Sequence, residues 1–166
     1  FIFIILFFLL FFFRLTYLLY PYGLINSNDV ITLLMAKHIS EGKSHPICFY
    51  GQLYIGSLGS HIIALFFTLF GYPFSGENNY SVFYLSFIYI HFLLLKELLP
   101  FNQAAAVSIF YCLPLRHLID ISRDNSMNAS LWLFLGTATI YLAFPISREK
   151  RMTLLPLFGY LCGLAF

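Results

Sequence analysis

Charge is what this chain has least of: only 10% of its 166 residues are Asp, Glu, Lys or Arg, and the net charge is +2. So few charges cannot cover an ordinary soluble surface. No basic cluster alternates with aromatics on a polar face, which argues against nucleic acid as a partner. Cysteine is sparse too. Cys48, Cys112 and Cys162 lie far apart, the last two inside apolar runs, so a disulfide framework or a cysteine metal centre is not indicated, and packing is. No repeat of fixed period is visible, and nothing is low in complexity beyond a Phe-rich start.

What is present is apolar. Hydrophobic residues make up 60% and aromatics 20% of the chain, and the mean hydropathy is +0.84. The first thirteen residues are Phe, Ile and Leu only, and summed insertion preferences favour a membrane by roughly 4 to 8 kcal/mol against about 3 kcal/mol opposing from Arg14. Tyr17, Tyr20 and Tyr22 then read as an interfacial belt. A cleaved signal peptide would need a basic flank, a shorter core and a small-residue cleavage site, and none is there. Further apolar runs at 53–72, 79–99, 103–119, 128–146 and 153–166 are helix candidates, since about 20 residues cross the hydrocarbon. Turn and charge signals separate them at 75–79, 96–103, 120–128 and 147–152.

The expectation is an all-α fold: a polytopic transmembrane helix bundle with an interfacial amphipathic helix in its first external loop. Residues 1–166 form a single membrane domain, read as an N-terminal fragment of a longer transmembrane protein because the chain lacks an initial Met and stops inside an apolar run. The basic loop of Arg148, Lys150 and Arg151 belongs in the cytoplasm by the positive-inside rule. That count and one started from the N-terminus disagree over residues 120–128. They are reconciled if the run at 103–119, which contains Pro114, dips rather than crosses.

Between the first two apolar runs lies the polar segment 26–61. Its residues 28–41 predict a helix: Ser27 or Asn28 can cap it, Asp29 sits where the N-terminal partial charge favours an anion, and Gly42 stops it. Ile31, Leu34, Met35 and Ile39 fall on one side, opposite Lys37, Ser40 and Glu41, as in a helix lying in the interface. Lys37 and His38 read as C-terminal charge complements. A stretch rich in Gly and aromatics follows, carrying Tyr50, Gln52, Tyr54 and His61 beside Gly51, Gly56 and Gly59. On spacing alone, close helix packing by Gly56, Ser57, Gly59 and Ser60 explains it more simply than a binding loop.

The order of apolar helix, acidic pair, LMAKHI-like helix and FYGQ-x-Y-x-GSL resembles the GT-C superfamily of polytopic membrane glycosyltransferases, in the protein-mannosyltransferase and aminoarabinose-transferase-like group. Specific matching is confined to residues 26–61. The resemblance implies an acidic catalytic residue in the first external loop and a donor sugar joined to a polyprenyl phosphate. The acidic pair falls on Asn28 and Asp29, so Asp29 is the acid in place and the catalytic candidate. An amide at position 28 cannot accept a proton as a carboxylate does. Gly59 likewise stands where related sequences carry an acidic residue. Both departures are those of a divergent or inactive member.

A second polar cluster gathers Arg116, His117, Asp120, Arg123 and Asp124. It is similar to an external loop of the same superfamily in which a basic residue approaches the lipid phosphate, a task suited to the two-pronged guanidinium. The substrate-binding candidates are therefore Asn28, Tyr50, Gln52, His61, Arg123 and Asp124. Two Asp and one His do not define a metal site; no metal or cofactor is called for, although a divalent cation is compatible with the chemistry. The expected function is transfer of a sugar from a polyprenyl-phosphate donor to an acceptor at the external or lumenal face of the membrane. Asp29 would serve as base or positioner and Arg123 would neutralise the departing phosphate. The alternative is a transporter or binder of lipid-linked sugars. The partners are the lipid bilayer, the lipid-linked sugar and an acceptor the sequence does not identify.

Overall fold

The computed structural model describes residues 27–71, 79–113, 115–123 and 129–164, together with Phe8 and Phe12. The first apolar run, with Arg14 and its tyrosine belt, otherwise lies outside the described residues, as does most of the 75–79 separator. The described chain is mostly helical. In order it forms α1 (Ser27–Ser40), β1 (Cys48–Phe49), β2 (Gln52–Gly56), α2 (Leu58–Phe70), α3 (Asn79–Leu98), α4 (Phe101–Cys112), α5 (Arg116–Arg123), α6 (Ala129–Glu149), a 3-10 turn (Met152–Leu154) and α7 (Leu155–Leu164).

The predicted helix over 28–41 is α1, displaced by one residue. Gly42 ends it in the left-handed conformation, φ +68°. Its N–H donates to the Ile39 carbonyl (3.0 Å) and the Lys43 N–H to the His38 carbonyl (2.8 Å). This pair of bonds is the Schellman arrangement, which satisfies carbonyls that the helix end leaves orphaned. The buried face differs from the expected one. Thr32, Met35 and Ala36 are buried, whereas Leu34 is 44% exposed. The reason is the partner: α1 packs on α2, whose buried residues include Gly59, Ser60 and Ala64. Small residues on both helices let the backbones approach, and that rotates α1 away from the face its bulkiest residues would choose.

The all-α expectation misses a hairpin, and the run at 53–72 is not one helix. β1 and β2 pair antiparallel, with Phe49 opposite Gln52 and Cys48 opposite Gly56, and the register shifts between Cys48 and Phe49. Tyr50 and Gly51 form the two-residue turn, and Gly51 takes φ +80°. A positive φ at the second turn residue alone is the type II pattern, whose twist does not match that of a hairpin. The irregular register beside it absorbs the mismatch.

The run at 103–119 also breaks. Leu113 is extended, φ −63° and ψ 139°, as a residue before proline must be, and α4 and α5 meet at 80°. Such a bend belongs equally to a broken span and to a segment that dips. In α6, by contrast, Pro145 lies inside the helix, which continues to Glu149. Lys150 then takes φ +51° to leave it.

Two apolar clusters organise the bundle. Ala36, Ile63, Ala64, Phe67, Leu131 and Leu135 join α1, α2 and α6, with Leu161 and Leu164 of α7 against them. Tyr84, Phe87, Ile88 and Cys112 join α3 and α4, with Ile121 of α5 alongside. Phe134 of α6 touches both clusters. Serines buried within this framework turn their hydroxyls onto backbone carbonyls. Ser108 donates to Ala104 O (2.9 Å), Ser122 to Ile119 O (2.7 Å) and Ser130 to Ile121 O (2.9 Å). Such bonds remove the cost of a polar group away from water.

Among the described residues one helix, α6, is long and apolar enough by length and composition to cross a membrane. The bent α4–α5 pair passes the same test taken as one segment. These helices make membrane association the coarse conclusion the fold supports.

Candidate functional site

Asp29 lies in the first turn of α1 and is half-buried, as is Asn28 before it. The Asn28 carbonyl accepts a hydrogen bond from Thr32 Oγ1 at 2.9 Å, which fixes the first turn from within the helix. The exposed N–H groups of a helix start favour an anion there. Asp29 therefore occupies the helix-start position the sequence predicts, on the side of α1 that also carries the buried Thr32 and Ala36.

Tyr50 is placed elsewhere. Its hydroxyl is bonded to Ser44 Oγ at 2.7 Å and to His38 Nδ1 at 3.3 Å. The Tyr50 backbone N–H donates to the Met35 sulfur at 3.4 Å, and Ser60 Oγ approaches the same sulfur at 3.9 Å. His38 follows Asp29 by a span of α1 that rises about 13 Å along the axis. The structure thus brings Tyr50 to the C-terminal end of α1 and not to Asp29. Gln52, half-buried, opens β2 across the same turn. Tyr54's side chain lies outside the described residues.

His61 stands in the first turn of α2. Its Nδ1 is 3.0 Å from the Ser57 carbonyl and 3.3 Å from Ser57 Oγ. A carbonyl only accepts, so Nδ1 carries the hydrogen, and Nε2 is the nitrogen able to take a proton in the neutral ring. Ser57 Oγ in turn donates to the carbonyls of Pro46 and Ile47. The direction of these bonds excludes a nucleophile–base pair: the imidazole donates towards the serine and cannot abstract its proton. Ser57, at the N-cap position of α2, instead ties the hairpin to that helix.

Arg123 is the last residue of α5, and its side chain lies outside the described residues, as does Asp124. Arg116, His117 and Asp120 are exposed on α5. Among the described residues, α6 connects the two halves of the predicted site, through Phe134 and through its first turn. Ser130, in the first turn of α6, bonds to Ile121 of α5. Its neighbour Leu131 belongs to the cluster that holds Ala36 of α1. The start of α6 therefore joins the end of α5 to the α1–α2 pair. Among the described residues no group of His, Cys, Asp and Glu is placed to hold a metal ion.

Two features escaped the sequence. His38, taken as a charge complement, is part of a His38–Tyr50–Ser44 hydrogen-bonded set, with rings 6.1 Å apart. Its signal was the pair of polar residues flanking Gly42, brought together once that glycine reverses the chain. His91, in the middle of α3, has a buried Nε2 with no hydrogen-bond partner among the described residues. It lies against Phe87 and edge-on to Tyr111, ring centroids 5.4 and 5.0 Å away. Beside His38, at the end of α1, Glu41 meets Lys43 at 2.6 Å and Lys37 at 3.9 Å. The Lys43 hydrogen bond holds the Glu41 carboxyl below its ordinary value, against a smaller opposing effect of desolvation.

No family model, curated protein or solved structure matches the chain.

Proposed function

We propose that this chain is the membrane part of a GT-C-like glycosyltransferase that moves one sugar from a polyprenyl-phosphate carrier to an acceptor at the external or lumenal face. In this reading the bundle is polytopic. α3 and α6, with 20 and 21 residues, each match the roughly 30 Å hydrocarbon thickness in length. The observation that carries the proposal is the setting of Asp29, a half-buried carboxylate in the first turn of a helix held in place by its packing on α2. A carboxylate held beside hydrocarbon is costly and is kept where it performs a task.

Asp29 accepts the proton of the acceptor hydroxyl as that oxygen attacks the anomeric carbon. The bond from that carbon to the phosphate oxygen breaks, and the lipid phosphate leaves with the electron pair, its charge met by Arg123. One displacement inverts the anomeric centre. The junction at the start of α6 gives α5 and α1 a common support, which such a pairing needs. Asp29→Asn keeps size and hydrogen bonding but removes the base, so transfer from a polyprenyl-linked donor falls by about 10²- to 10⁴-fold. Full transfer by that variant refutes the assignment.

One observation favours a second reading, a transporter of lipid-linked sugars. The 80° break between α4 and α5 is the discontinuous-helix geometry on which transporters build midplane sites. A reconstituted assay that scores flipping and sugar transfer separately distinguishes the two.

A further inference from the structure

The hairpin holds two large aliphatic side chains away from the protein. Ile47 is 88% exposed and Leu53 87% exposed, more than any other described large apolar residue. They are held there by an ordered base. Ser57 grips the carbonyls of Pro46 and Ile47, Phe49 is buried beneath the strand pair, and Tyr50 is bonded to Ser44, His38 and Met35. A pair of fully wetted aliphatics on a pinned hairpin loses free energy to water unless something covers it.

The surroundings say what that cover is. Lys43 and His45 lie exposed in the approach to β1, and Glu41, in the same turn, is paired with Lys43 and Lys37. Directly after the hairpin, α2 turns Leu65, Leu69 and Phe70 outward. Two exposed aliphatics, Ile47 at the base of the hairpin and Leu53 beside its turn, with the Lys43 ammonium nearby and an outward apolar helix face following, are complementary to the headgroup boundary of an anionic bilayer.

We propose that the Cys48–Gly56 hairpin docks on lipid, with Ile47 and Leu53 inserted at the acyl-chain boundary and Lys43 and His45 against headgroup phosphates. This rests on the membrane part of the proposed function and not on the chemistry at Asp29. The docked hairpin fixes the height of α1, and with it the depth of Asp29, relative to the bilayer surface.

The test uses the full chain reconstituted in nanodiscs of mixed anionic and zwitterionic lipid, with Cys48, Cys112 and Cys162 replaced by Ser. A polarity-sensitive fluorophore is attached through single cysteines at positions 47, 53, 41 and 140. Spin labels on lipid headgroups and acyl chains act as quenchers. Position 140, on the exposed face of α6, reports the membrane itself, and position 41 reports an exposed turn. Docking predicts blue-shifted emission and lipid quenching at 47 and 53 but aqueous quenching at 41. Leu53→Asn, read from the label at 47, lowers the lipid-bound fraction by about tenfold. Raising the salt weakens binding as screening removes the headgroup attraction. Lipid quenching at 140 with aqueous quenching at 47 and 53 overturns the docking proposal and leaves the membrane reading standing. Aqueous quenching at 140 as well overturns both. Protection at 47 and 53 that depends on a second protein copy in the disc, without lipid quenching, also overturns it.

Discussion

Met35 is where α1, the hairpin and α2 meet, and replacing it separates two contributions. The side chain is wholly buried; its sulfur accepts from the Tyr50 N–H at 3.4 Å and is approached by Ser60 Oγ at 3.9 Å. Met35→Ala removes both the filling and the acceptor, at a cost of about 2 to 5 kcal/mol for a buried Met. Met35→Leu keeps the volume, so the packing change is small, and what remains is an amide without its acceptor, about 1 kcal/mol. A loss of that size opens the Tyr50 amide to exchange about fivefold faster. Hydrogen exchange at Tyr50 in detergent micelles, with an amide in the middle of α6 as reference, reads it directly. Faster exchange at Tyr50 with no change at the reference is the expected result for Met35→Leu. If Met35→Leu leaves Tyr50 unchanged while Met35→Ala accelerates it, sulfur fills space only, and the thioether does not hold the hairpin.

Gly51→Ala meets no steric obstacle, since nothing lies within 4 Å of the added carbon, yet φ +80° costs an L-residue about 1 to 2 kcal/mol; thermal unfolding in micelles should show the loss, and an unchanged midpoint would refute the assigned turn. Lys150→Gly relieves the same left-handed strain, at φ +51°, and is expected to stabilise by about 1 kcal/mol in the same assay, with no gain as the contrary result. For Glu41 the folded carboxyl sits below its ordinary 4.5, so its contribution is complete above that pH and is lost as pH falls through the lower folded value. Being exposed, the group contributes little and less in salt. Acid should loosen the Gly42 turn in the native chain and leave Glu41→Gln insensitive, as followed by exchange at the Lys43 amide.

Much of the helical layout was legible because it rests on local rules. Gly42 is a stop wherever a helix meets a glycine free to turn left-handed, and Leu113 had to be extended because a proline follows it. The hairpin was not legible in the same way. Residues 53–56 were read as the start of the apolar run at 53–72, and the strand period is too short there to compete with the helical one. Only the Tyr-Gly turn marked it. The buried face of α1 depended on a partner that sequence distance conceals: Thr32 and Ala36 matter because Gly59, Ser60 and Ala64 face them. At the candidate site, Asp29 was read from helix-start electrostatics, which are local. The company of Tyr50 was settled by where the chain goes after Gly42, which is not.

The same contrast bears on how such a site would work. Asp29 stands at one end of α1, and the His38–Tyr50–Ser44 set stands at the other, about 13 Å along the axis. A sugar ring does not span that distance, whereas a sugar joined to a long lipid phosphate does. If Asp29 meets the reacting hydroxyl, the far set is placed to contact a different part of a large substrate and to affect its capture more than its reaction. Tyr50→Phe removes the hydroxyl while keeping the ring. On this division of labour it raises KM with kcat preserved, the mark of binding that is equal in ground and transition states. Asp29→Asn lowers kcat instead. A Tyr50→Phe variant that loses kcat with KM unchanged would place the phenol at the reacting atoms, and the separation along α1 would then have to close during turnover.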